Sequence, residues 1–154
     1  MARFVFKLET VLKQRKRLEQ EKQRELAVRH AKQVALEDQL KRMDESVKQA
    51  SEDLRRDHLT GSIDLSFLTA HRRFLTSMQR QGMQLVQQIA AAKAHVEDAR
   101  RQLAEAAKRR KAIDRLRERA FEAWREDLAR HEMAELDEIG TQIAYADLQE
   151  RNDS

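Results

Sequence analysis

Cysteine and proline are both absent from these 154 residues, and glycine occurs only three times, at 61, 82 and 140. Without cysteine there is no disulfide scaffold, no thiolate metal site and no cysteine nucleophile. Ordinary usage would supply about 5% Pro and 7% Gly, so a fold with many elements and many turns has little raw material here. Aromatic residues make up only 5% of the chain. Leu, Ile, Val and Phe together are scarce enough to exclude a large globular core. Long hydrophobic runs are missing as well. The longest uncharged stretch, Gln81 to Ala92, is rich in Gln, whereas a membrane span needs about 20 mostly apolar residues. At the N-terminus Lys7 and Glu9 interrupt the apolar Phe4-Val5-Phe6 before a secretory signal can form. The expectation is a soluble, cytoplasmic protein without direct membrane insertion.

What remains is charge and helix formers. Ionised side chains make up 38% of the chain, with 31 Lys or Arg against 27 Asp or Glu, and Ala, Glu, Lys, Leu and Arg dominate the composition. Such a composition signals long helices where periodicity supports it. It does so twice. Leu36, Leu40, Met43, Val47, Ala50 and Leu54 alternate spacings of four and three, the pattern of a coiled-coil seam. After the turn-like Thr60-Gly61-Ser62, a longer register runs Leu68, His71, Leu75, Met78, Gly82, Leu85, Ile89, Ala92, Val96, Ala99, Leu103, Ala106, Arg110 and Ile113. The predicted fold is all-α. Helix 1 covers about residues 4–58, a turn 59–64, and helix 2 about 65–148, in one elongated domain spanning 1–154. So short a connection makes the helices antiparallel neighbours in a coiled-coil hairpin. Folding about residue 61 sets Val47 against Leu75, Met43 against Met78 and Leu40 against Gly82. Between residues 15 and 33 the seam of helix 1 carries Arg15, Glu19, Lys22, Arg29 and Gln33, whose aliphatic stems can cover the facing alanines while their charges reach water.

Helix 2 is the longer, and its overhang, 119–150, has no partner in this reading. Yet Phe121, Trp124, Leu128, Leu136, Ile139 and Ile143 place an apolar stripe on it. An amphipathic helix with nothing to cover it points to an external partner, or else to weak self-association. Charge is sorted too. Residues 1–24 and 100–119 are strongly basic, whereas 126–154 hold nine acidic and two basic groups. Nucleic-acid binding by Lys108-Arg109-Arg110-Lys111 is disfavoured, because no aromatic platform is interleaved and the acidic tail is adjacent. Three isolated glycines cannot form a phosphate loop, and no two of the five histidines stand at i, i+4. Two helices offer no pocket in which to shift a carboxylate pKa. No catalytic, metal or cofactor residues are expected.

Specific residues also carry a likeness. The opening Phe4-Val5-Phe6-Lys7-Leu8-Glu9-Thr10-Val11-Leu12, then Arg15, Arg17, Glu19 and Gln23-Arg24-Glu25-Leu26-Ala27, resembles the start of the FliJ family, small coiled-coil components of the bacterial flagellar type III export apparatus. Glu132-Met133-Ala134-Glu135-Leu136-Asp137-Glu138-Ile139 is similar to that family's C-terminal pattern. The resemblance implies a non-enzymatic stalk, peripherally associated with the inner-membrane export apparatus, that docks into the hexameric export ATPase and contacts the cytoplasmic domain of the export gate and substrate chaperones. The ring-binding candidates are Phe121, Trp124, Leu128, Glu132, Leu136, Asp137, Glu138 and Ile139, and the gate-binding candidates are Gln39, Met43, Phe74 and Met78. Ser46 and Ala50 stand where some members carry aromatics. The competing readings are the injectisome counterpart of the same stalk and a general scaffolding or dimerising coiled coil.

Overall fold

The computed structural model describes residues 3–58, 61, 62 and 64–152, with the backbone alone at 57, 58 and 152. The architecture is all-α: α1 spans Glu9–Asp53, a π-helical turn follows at Leu54–His58, and α2 spans Leu65–Asn152. Of the turn expected at 59–64, residues 59, 60 and 63 lie outside the described residues. Gly61 has φ +113°, a conformation that a side chain would strain and that glycine adopts freely. Asp64 starts α2. Its carboxylate accepts from the backbone N–H groups of Ser66 (2.9 Å) and Phe67 (3.3 Å), donors that the first turn of a helix cannot satisfy itself.

The chain divides into two units, Leu18–Ala106 and Met1–Arg17 with Ala107–Ser154. In the first, α1 and α2 run antiparallel, because partners descend along α2 as they climb along α1. Arg29 reaches the His95 carbonyl (3.1 Å) and Asp98 (3.4 Å), Glu37 pairs with Lys93 (3.6 Å), and Met43 faces Gly82. Burial follows the heptads on α2, where Leu85, Ile89, Ala92, Val96 and Ala99 are all buried. On α1 the facing positions from Lys22 to Ala50 are half-covered. This is the thin seam expected from stems over alanines: Lys22 and Arg29 are partly covered, and no charged or polar residue among the described ones is buried.

Two expectations need correction here. Gly82 meets Met43 rather than Leu40, so the register is offset by about one helical turn. A slip of three or four residues keeps the same faces together, which is why the heptad pattern survives it. Helix 1 also begins at Glu9, not at residue 4. In the second unit residues 4–6 precede the helix, Glu9 N–H donates to the Phe6 carbonyl (3.2 Å), and Leu12 N–H donates to that of Leu8 (2.9 Å). Leu12 is the largest fully buried side chain, 1% exposed.

Candidate functional site

The overhang is where the sequence reading and the structure part most clearly. Phe4, carried on the non-helical N-terminal segment, meets Phe121 edge to face at 5.3 Å and lies 5.8 Å from Trp124, while Phe121 and Trp124 stack at 5.7 Å. Glu9 holds Arg117 at 3.3 Å just beside this trio. Offset and edge-on geometries of this kind are the favourable ones for ring quadrupoles. Residues 119–150 are therefore not wholly without an intramolecular partner: the first turns have one. A period-two pattern in Phe4-Val5-Phe6-Lys7 could have revealed it, since Phe4 and Phe6 are half-covered and Val5 is exposed, as in an extended segment with one side on a surface.

Past Leu128 the cover ends. Every residue from 129 to 151 is exposed, including large apolar side chains: Leu136 at 65%, Ile139 at 53% and Ile143 at 58%. Glu132, Asp137 and Glu138 are exposed on the same helix. Arg130 is tied by Asp127 (3.1 Å) and Glu126 (4.0 Å), which leaves the remaining turns dominated by carboxylates. Of the eight ring-binding candidates, Phe121 and Trp124 lie within the aromatic cluster, Leu128 is half-covered one turn further on, and the other five stand on bare helix. Gly140 forms a notch in that helix, bordered by Leu136, Thr141, Ala144, Tyr145 and Leu148. Nothing lies within 4 Å of where its side chain would be.

The gate-binding candidates fall into a pair and two singles. Met43 and Met78 share a shallow groove across the helix pair with Leu40, Val47 and Leu75. Gln39 is exposed and does not line that groove, and Phe74 lies instead beside His71, ring centres 6.4 Å apart. Asp44 on the groove's rim binds Lys48 at 2.7 Å and, by hydrogen bond first and charge second, raises the lysine's pKa above its ordinary value. The two methionines are only half-covered, and such flexible, polarizable side chains suit either packing or recognition.

The sequence matches the family described as Flagellar FliJ protein over residues 4–148. The chain belongs to the FliJ family. Membership makes it a flagellar protein related to export, in a family of structural components rather than enzymes. No curated protein and no solved structure matches the chain. Among the described residues no helix is long and apolar enough to cross a membrane.

Proposed function

We propose that this FliJ-family chain is a non-enzymatic stalk of the flagellar type III export apparatus, whose bare C-terminal helix docks into the export ATPase ring. The observation that supports this reading is the run from 129 to 151, an amphipathic helix exposed on every side and ending in net negative charge. Burying apolar surface is worth roughly 25 cal/mol per Å², so five large exposed side chains, Met133, Leu136, Ile139, Ile143 and Leu148, form a sizeable incentive for a socket. Glu132, Asp137 and Glu138 would set the orientation of entry against a basic rim. The groove around Met43 and Met78, with Gln39 and Phe74 nearby, is the proposed contact for the export gate. Substrate chaperones complete the set of partners, and the protein would work in the cytoplasm against the inner-membrane apparatus.

Deleting residues 129–154 tests the docking role. The cut leaves the helical seam and the Phe4–Phe121–Trp124 cluster in place, so the truncated protein should retain its cooperative melt. It should lose stimulation of ATP hydrolysis and ring assembly, and cells carrying it should swim poorly. A truncated form that stimulates the ATPase as well as the full chain does would remove the tail from the docking role. A tail-mediated dimer would instead show itself as a mass that rises with concentration in the full chain and stays monomeric after the cut.

A further inference from the structure

Between Leu65 and Val96, α2 contains no Asp or Glu at all, although the chain as a whole is nearly balanced in charge. Arg72, Arg73 and Arg80 lie in this stretch, all three exposed, and they border an open trough with Thr69, Thr76 and Ser77. None of the three makes an ion pair among the described residues, and their helical neighbours offer no partner. Positions three and four away from Arg72, Arg73 and Arg80 are all uncharged, while other exposed arginines such as Arg101 and Arg125 have Glu or Asp one turn away.

We propose that the Arg72–Arg73–Arg80 face is a docking surface for an acidic helix of a partner protein, one presenting carboxylates about two turns apart. Arg80 follows Arg72 and Arg73 by seven or eight residues, about 11–12 Å along the axis at 1.5 Å per residue. A partner helix with Glu or Asp at i and i+7 has the same repeat. Guanidinium forks donate two parallel hydrogen bonds to a carboxylate, a geometry that lysine cannot reproduce. The small Thr76 and Ser77 between the arginines, with Thr69 one turn before them, leave room for a helix to approach closely. This surface is separate from the acidic tail and does not depend on the tail's docking.

Other anionic partners fit less well. An interfacial helix on a membrane must bury a broad apolar face, but the trough is lined by Thr, Ser, Gln and Arg alone, and the seam residues of the same stretch, Leu68, Leu75 and Met78, are already half-covered. Single-stranded nucleic acid needs aromatic platforms among the basic residues, and the trough has none.

The test uses the full chain and fluorescence anisotropy at low and high salt. The probes are a synthetic helical peptide with Glu pairs at i, i+7, a peptide of equal charge with the spacing broken, phosphatidylglycerol vesicles and a single-stranded DNA oligonucleotide. The i, i+7 peptide should bind best and weaken with salt. R72E/R73E/R80E should reduce its affinity at least tenfold, and R72K/R73K/R80K should reduce it severalfold, since charge is kept but the fork is lost. R101E/R115E/R125E, with the same change in net charge, should bind as the parent does. All variants change exposed side chains, and a thermal melt of each confirms the fold. Failure to bind the i, i+7 peptide, no preference over broken spacing, or equal loss in both reversal variants would overturn the proposal. So would vesicles or DNA binding through these arginines more tightly than the peptide.

Discussion

Phe4→Ala is the substitution that most directly probes how the N-terminal segment is held. Phe4 is half-covered and touches two rings, Phe121 at 5.3 Å and Trp124 at 5.8 Å. Truncating a fully buried Phe costs about 3–5 kcal/mol, and half-burial scales that to roughly 2 kcal/mol, within which each ring pair accounts for about 0.5–1.5 kcal/mol. A loss of about 2 kcal/mol shifts the docked-to-undocked equilibrium of the segment nearly thirtyfold, enough to free it in a large share of molecules. Trp124 is the chain's only tryptophan, so its fluorescence reports this cluster alone. Emission should move to longer wavelength and become more accessible to a collisional quencher in Phe4→Ala, whereas Val5→Ala, at a position 77% exposed, should leave both unchanged. The global melt should fall only slightly, because Leu12 and the helical seam are untouched. An emission spectrum identical in Phe4→Ala and the parent would mean that Phe4 does not cover Trp124 and would return the first turns of the overhang to an unpartnered state.

In the central seam, Val47 and Leu75 line one groove, so Val47→Asp places a charge against apolar surface and should cost several kcal/mol; Arg29→Ala loses only a part-exposed pair with Asp98 and should cost under about 1 kcal/mol. Comparable thermal shifts from the two would contradict the observed faces. Gly82→Ala should stabilise by about 0.5–1 kcal/mol in chemical denaturation, because glycine within a helix is costly and a methyl group there would lie 3.7 Å from Met43 Sδ, at ordinary contact. Destabilisation would mean that the helices approach more closely at Gly82 than they do here.

The helical class, the two long elements, the start of α2 and the heptad faces were all legible in the sequence, for a local reason. A seam residue must recur every three or four positions whatever it touches, and an Asp before a helix caps it through its own neighbours. Even the charged seam of α1 could be read, since Arg29 and Lys22 occupy heptad positions and have stems long enough to reach water. Which turn of α1 meets which turn of α2 was not legible. Heptad positions repeat, so a slip of one helical turn exchanges one apolar contact for another of similar worth, and only the tertiary structure shows Gly82 beside Met43. The fate of the overhang's first turns was equally nonlocal. Phe4 and Trp124 are far apart in sequence, and their contact exists because the chain leaves the helix before Glu9 and lays an aromatic ring across α2. Beyond Leu128 every residue to 151 is exposed, as the sequence reading of an uncovered overhang expected, and that exposure is what the proposed docking rests on.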